Sequence, residues 1–436
     1  MGHGGQGEFL VKNKKVLVVG LGLHGGGVES VKWLRSMKAD ITITDLKTKK
    51  ELKTSLNELK KIKGVKYHLG GHLKDDFLNA DMIIKGPGVP ADSPYIKAAR
   101  LKKILILSDI GIFLAEIKNK AMVIAVTGTK GKSTTASLIA RVLDKKSKTH
   151  LAGNIRTSVF EILPKIKKGD LVVLELSSFQ LEDISALKYS FPVAVITSLF
   201  PDHLNRHKTF ANYAKAKEVV FKDQEKGGFL IVNGDDKNAR RLAGRAKGSI
   251  LFLKEGDFAK RSAYIIGKYF GLSDKKINDA IKSFKGLPGR FEKIAVKNGV
   301  VFINDTTATN PTAAIYGLKR VNIDYPRGKY PALAVIAGGY DKGLDVKGFV
   351  SGLEKSANFV VFFPGEASEK MIAKLTNSKL KYIKTKTMDE AVRKAYEKVR
   401  GFGGIVLLSP GAASFGIFKH EFDRGDKFVE AVRKIF

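Results

Sequence analysis

Short apolar runs alternate with amphipathic stretches along almost the whole chain. Residues 15–20 (KVLVVG) have the pattern of a buried strand, 25–37 that of a helix carrying Trp33, and 41–44 (ITIT) that of the next strand. Apolar segments at 82–84 and 104–107 continue the series. Strands separated by helices in this way predict a parallel, doubly wound sheet. A second unit opens at Ala121, with later strands at 171–175, 193–196 and 229–232. A third begins near the GLPG segment at 286–289 and holds strands at 300–303, 332–336, 359–363 and 405–408, with a helix over 388–399. The predicted class is α/β, three units joined by short connections, with no internal repeat and no long low-complexity linker.

One strand leads into a segment with chemistry. The string VIAVTGTKGKSTT (123–135) starts as a buried strand, passes through a glycine-rich turn and enters a helix predicted over 133–143. Glycines let backbone N–H groups crowd a polyphosphate, Lys132 can span its outer phosphates, and the Ser133 hydroxyl can join a Mg²⁺ shell. The alternative is a glycine-rich turn with a solvated lysine. In the common phosphate loop the first glycine would fall at Val126; here the glycines are Gly128 and Gly131, a variant spacing that still predicts an ATP user.

Composition narrows the classes. The 436 residues suffice for two to four domains, and 44% hydrophobic content is that of a globular protein. No apolar run approaches the roughly 18–20 residues that span a bilayer, so membrane insertion is not expected. The opening MGHGGQG lacks an apolar signal segment, and a cytoplasmic location is expected. The absence of cysteine excludes disulfides, thiolate zinc sites and cysteine nucleophiles. A net charge of +34 could serve nucleic acid, a membrane surface or a polyanionic substrate. The lysines are scattered over every region, which favours a solvated basic surface over a nucleic-acid site.

Other segments carry candidate ligands. Gly20-Leu-Gly22-Leu-His24-Gly25 follows a strand, and Asp45 ends the next, as in a dinucleotide-binding turn with its ribose-binding acid; which nucleotide remains open. Glu175 ends a buried strand and His203 follows another, so both lie where ligands collect, beyond the carboxyl ends of a sheet. A carboxylate and an imidazole there could ligate the metal of a metal–ATP complex. By composition Lys217 looks like one more surface lysine. Arg290, Asp305, Asn310 and Lys342 fall in turns beside strands, and the 409–415 segment is expected to open the last helix.

Taken together and in this order, these segments resemble the Mur ligase family, most closely its D-glutamate-adding branch. The matching strings are VVGLGLHG, PGVP at 87–90, VTGTKGKST, GNI at 153–155, ELSSFQLE, DHLNRH with YAKAK downstream, VNGDD, GLPGRFE, INDTTATNP, GGYDKG and LSPGAASFGIFK. The resemblance implies three domains: a Rossmann-like UDP-binding domain (1–118), a phosphate-loop ATPase domain with a mostly parallel sheet (119–286) and a Rossmann-like amino-acid-binding domain (287–436). It implies ATP-dependent addition of D-glutamate to UDP-N-acetylmuramoyl-L-alanine, for peptidoglycan, through an acyl phosphate. The alternatives are a Mur-type ligase with another acceptor and a basic, nucleic-acid-associated phosphate-loop ATPase.

By position, the resemblance assigns Gly22, Leu23, His24 and Asp45 to the UDP end of the precursor, and Asn154, Ser177 and Gln180 to its sugar–peptide portion. Gly128, Thr129, Lys130, Gly131, Lys132, Ser133 and Thr134 would hold ATP phosphates, with Arg290 and Asp305 as further ATP ligands. Ser133, Glu175, His203 and Lys217 would hold two Mg²⁺ ions, Lys217 as a carbamate. Thr309, Lys342, Ser414 and Phe415 would bind D-glutamate, with Lys132, Lys217, His203 and Lys342 as the catalytic set. A monomer is expected. The chain departs from the family pattern at Arg156, Asn205, Gly289 and Thr307, and its 250–262 segment is shortened.

Overall fold

The computed structural model describes residues 11–23, 25–155, 157–376, 380–401 and 403–435; His24 and Arg156 lie outside this set. The chain divides into two compact units, Met1–Phe284 and Lys285–Phe436. The first unit contains two sheets and the second contains one.

In the first sheet β1 (Lys15–Val19), β2 (Asp40–Asp45), β3 (Val65–Leu69), β4 (Met82–Lys85) and β5 (Leu105–Leu107) pair in the order β3-β2-β1-β4-β5, all parallel. The chain leaves β1 toward one edge and returns on the other side at β4. That reversal opens a crevice between the loops that follow β1 and β4.

The second sheet is also wholly parallel. It comprises β6 (Ala121–Thr127), β7 (Thr149–Gly153), β8 (Asp170–Glu175), β9 (Val193–Ile196), β10 (Phe229–Asn233) and β11 (Ser249–Leu253), ordered β11-β10-β9-β6-β8-β7. Every residue of β8 and β9 is buried, as expected of strands covered on both faces. Helix Phe258–Tyr269 places Ala263 and Ile266 against Ala136 and Ile139 of helix Lys132–Leu143. A turn at 254–257 is all that separates β11 from that helix.

The third sheet holds β12 (Glu292–Lys297), β13 (Val300–Asn304), β14 (Ala332–Ala337), β15 (Phe359–Phe362), β16 (Lys381–Lys384) and β17 (Gly404–Leu408), ordered β12-β13-β17-β14-β15-β16. Its one antiparallel strand, β12, sits at the edge and turns back on β13 through Asn298 and Gly299. Sequence periodicity does not reveal it, because a half-exposed edge strand lacks the apolar run of the buried ones. Helix Met388–Val399 buries Met388, Ala391, Val392, Ala395, Tyr396 and Val399, the spacing of one helical face, and Thr387 caps it. Among the described residues, no helix is long and apolar enough to cross a membrane.

Within the first unit the two sheets meet through Trp33, whose indole stacks on Phe160 with centroids 4.5 Å apart and an 8° tilt. Both rings are buried. Trp33 is the only tryptophan in the chain, so its emission reports on this contact. Phe160→Ala should cost roughly 3–5 kcal/mol, the range for deleting a buried aromatic ring. The check is denaturant unfolding followed by Trp33 emission, with a lowered midpoint and red-shifted native emission.

Candidate functional site

The centre of the second sheet is built to hold a strained turn. β6 lies between β8 and β9, and the loops after β6 and β9 face one another where successive connections change direction. Gly128 (φ 146°) and Gly131 (φ 87°) take backbone angles suited to glycine. A Cβ on Gly128 would lie 2.1 Å from Thr197 Oγ1 and 3.0 Å from Ser198 N. The two loops are stitched by hydrogen bonds. Thr129 N donates to the Ser198 carbonyl (2.8 Å) and Lys130 N to Ser198 Oγ (2.9 Å). The Thr197 and Ser198 hydroxyls donate back to the Lys130 carbonyl. Lys132 Nζ folds over the turn onto the Thr129 carbonyl at 3.0 Å. Thr197 and Ser198 had no signal in the sequence beyond following a strand.

Beneath this turn sits Lys217. The structure corrects its reading as a surface lysine: it is 1% exposed. Helix Phe210–Glu218 buries Tyr213, Ala216 and Lys217, so the lysine belongs to the inward face. That i, i+3, i+4 spacing was the available signal. Lys217 Nζ donates to the Gly128 carbonyl at 2.9 Å and lies 4.7 Å from the centre of the Tyr213 ring. Burial drives its amine well below the ordinary lysine range; Lys132 adds to the effect, and Asp202 and Glu175 oppose it.

Two buried oxygens beside the turn lack hydrogen-bond partners, Ser133 Oγ and Glu175 Oε2. The other Glu175 oxygen accepts from Asn154 Nδ2 at 2.9 Å. Glu175 pairs in register with Val126, at the carboxyl end of the sheet. A hydroxyl and a carboxylate oxygen left unpaired suit a hard cation such as Mg²⁺, whose remaining positions go to phosphate and water. Among the described residues no three His, Asp or Glu side chains form a metal cage. His203 stands before helix Leu204–His207 at φ 53°, about half exposed, 3.8 Å from the Asp202 carboxylate and edge-on to Phe179. Thr134 is half-buried in the first turn of helix Lys132–Leu143.

In the first sheet Asp45 is buried and both its oxygens bind backbone: Oδ2 accepts from Gly22 N (3.1 Å) and Oδ1 from Lys47 N (2.9 Å). It therefore shapes the glycine turn after β1, leaving Leu23 exposed at its tip. Ser177 and Gln180 form a reciprocal capping box on helix Ser178–Ile184.

In the second unit three loops gather at one end of the sheet. Asp305 Oδ1 accepts from Phe291 N and its Oδ2 from Ser409 Oγ, both at 3.2 Å. Gly338 N donates to the Pro410 carbonyl, and Tyr340 bridges to Ala413. Asn310 caps helix Pro311–Asp324, with Thr309 half-buried before it. Arg290 is half-buried, Lys342 exposed, Ser414 buried and Phe415 exposed, its ring against Tyr340. The expectation that 409–415 opens the last helix is corrected. That helix runs Glu421–Lys434, capped by His420; Ala413 pairs with Tyr340 and residues 415–420 form turns and bends. Gly289 has φ 69°, and a Cβ would lie 2.7 Å from Thr306 Cγ2, which accounts for a glycine there. Sequence reasoning missed Arg424, which is fully buried and ties Thr306 to the Ala412 carbonyl. Desolvation lowers its guanidinium to about 9.

These features define a phosphate-loop protein, and comparison with known families says of which kind. Family models match at residues 14–108 (Mur ligase MurD-like, N-terminal domain), 126–293 (Mur ligase middle domain) and 289–411 (Mur ligase, glutamate ligase domain). The chain belongs to the Mur ligase family and has its three domains. It is 33% identical to the UDP-N-acetylmuramoylalanine--D-glutamate ligase of Roseiflexus sp. (strain RS-1), over 96% of this chain and 98% of that one. The enzyme of the same name from Borreliella burgdorferi (strain ZS7) is 31% identical, over 98% and 99%. Among solved structures, the UDP-N-acetylmuramate-alanine ligase MurC of Thermotoga maritima shares the fold, with TM-score 0.60 and 19% identity over 97% of this chain and 100% of that one. MurF ligase from the same organism, in complex with ADP, gives 0.59 and 18%, over 98% and 97%.

The lack of room at Gly128 yields a test. Gly128→Ala should weaken ATP binding at least about tenfold, because the loop must shift to admit a methyl group whose nearest neighbours include backbone. Titration with a fluorescent ATP analogue, with UDP binding as control, would show it.

Proposed function

We propose that this chain is an ATP-dependent ligase that joins D-glutamate to UDP-N-acetylmuramoyl-L-alanine in cytoplasmic peptidoglycan precursor synthesis. The observation that carries the reading is end-to-end similarity to curated D-glutamate ligases, at 33% identity over 96% of the chain. The pinned phosphate loop supports it. A carboxylate is a poor electrophile, and phosphorylation supplies the missing leaving group. A carboxylate oxygen of the precursor attacks the γ-phosphorus and ADP departs. The amine of D-glutamate then adds to the acyl carbon, and phosphate leaves with that oxygen.

Gly128 to Thr134 cradle the phosphates, with Lys132 exchanging the Thr129 carbonyl for a phosphate oxygen. Arg290 and Asp305 are further ATP ligands. Ser133, Glu175 and His203 would hold Mg²⁺, with the Lys217 carbamate helping to hold a second ion; bound metal would supply charge that stabilises the transferring phosphoryl group. Lys217 acts as a carbamate, formed when its neutral amine adds to CO₂ and loses a proton. Its depressed pKa favours that neutral amine. Gly22, Leu23, His24 and Asp45 hold the UDP end, and Asn154, Ser177 and Gln180 face the sugar–peptide portion. Thr309, Lys342, Ser414 and Phe415 receive D-glutamate. The domain limits are 1–118, 119–286 and 287–436, and the enzyme works as a monomer.

The test is a panel of UDP-N-acetylmuramoyl-L-alanine and ATP with each amino acid. Phosphate release should depend on D-glutamate; dependence on another amino acid, or on DNA, would replace this reading. Lys132→Ala should lower turnover at least about hundredfold while precursor affinity stays within twofold, since the lysine acts on phosphate charge. Lys217→Ala should be inactive and regain partial activity with formate or acetate. Kinetic assays at saturating precursor would check both.

A further inference from the structure

We infer that Arg206 and Lys85 are positioning residues that clamp the turn after β4 and so hold the wall of the UDP site in register with the loop carrying His203; the inference rests on the proposed function. The turn at 86–89 lies across the crevice from the glycine turn after β1 and touches it. Gly86 N donates to the Val19 carbonyl at 2.9 Å, and Val89 N to the Gly86 carbonyl at 3.0 Å. A Cβ on Gly86 would meet the Gly20 carbonyl at 3.1 Å, and one on Gly20 would meet Val89 Cγ2 at 3.2 Å. Displacing residues 86–89 therefore displaces the turn whose Gly22 amide is held by Asp45.

Two cations hold this turn, and both reach the Val89 carbonyl. Lys85, 4% exposed, donates to the Val89 carbonyl at 2.9 Å and pairs with Asp183 at 2.8 Å, itself 4% exposed. Asp109 also faces Lys85 electrostatically. Arg206 places Nη1 on the Gly88 carbonyl and Nη2 on the Val89 carbonyl, each at 3.1 Å. Its guanidinium lies 5.2 Å from the centre of the Phe179 ring and 3.5 Å from the Glu182 carboxylate. Glu182 and Asp183 both belong to helix Ser178–Ile184, and Arg206 sits in the short helix that follows His203. A rigid path thus runs from the His203 loop, through the Arg206 fork and Val89, to the glycine turn of the first sheet. A planar fork on two carbonyls fixes distance and direction together, which a single ammonium cannot do. Misplacement of a reacting group by about 1 Å can cost roughly a hundredfold in rate, so such a path bears on catalysis without touching substrate.

Arg206→Lys keeps the charge and removes the fork. The readouts are UDP affinity by calorimetry, KM for precursor and for ATP, and kcat. We expect UDP Kd and precursor KM to rise about tenfold, with ATP KM within twofold and the melting temperature nearly unchanged, because the loss is of geometry and not of charge. The double variant Lys85→Met/Asp183→Leu removes both members of the buried pair, leaving only Asp109 without its facing cation, and should shift UDP Kd in the same direction. UDP affinity within twofold of wild type in both variants, or parallel loss of ATP and UDP affinity, would overturn the clamp. Wild-type protein that binds UDP without D-glutamate-dependent turnover would instead sink the functional reading, and the clamp would still be judged on UDP affinity.

Discussion

The close approach of Gly128 to Thr197 and Ser198 is the constraint on which the site depends. With no room for a side chain, the turn can hug the loop after β9, and that loop takes up the Thr129 amide and the Lys130 amide and carbonyl. The turn is thereby set before any nucleotide arrives, and less ordering remains when one binds. The same turn aims the Gly128 carbonyl inward onto Lys217, which ties the phosphate loop to a buried amine.

Buried basic side chains resting on loop carbonyls recur in both units. Lys217 holds Gly128, Lys85 holds Val89, and Arg424 holds Thr306 and Ala412. Burying a polar group is costly unless its donors are satisfied, and each of these has main-chain oxygens to bind. The arrangement suits a protein whose functional residues sit on loops at the carboxyl ends of strands. Helices and strands satisfy their own backbone, but loops leave carbonyls to be fixed by something else. The net charge of +34 is a separate matter: the scattered lysines are mostly exposed, and nothing in the structure explains their number.

Much of this was legible in the sequence. The buried parallel strands declare themselves as apolar runs, and the GTKGKST string fixes its turn because few sequences place two glycines and a lysine between strand and helix. What escaped has physical reasons. Lys217 shares a helical face with Tyr213 and Ala216, but composition reads a lysine as solvated and overrode that spacing. Thr197, Ser198, Lys85 and Arg424 act through contacts with residues far away in the chain, which periodicity does not see. The last helix begins later than expected, where the His420 side chain accepts from the Asp423 amide and caps it, a local cue that an apolar-run reading does not weigh.

On the proposed function, the loop aims a γ-phosphate at a carboxylate. Precursor labelled with ¹⁸O in its terminal carboxylate tests it most directly, with the released phosphate examined by mass spectrometry or ³¹P NMR. The account predicts one ¹⁸O transferred into each phosphate during D-glutamate-dependent turnover. Phosphate free of the label would contradict it.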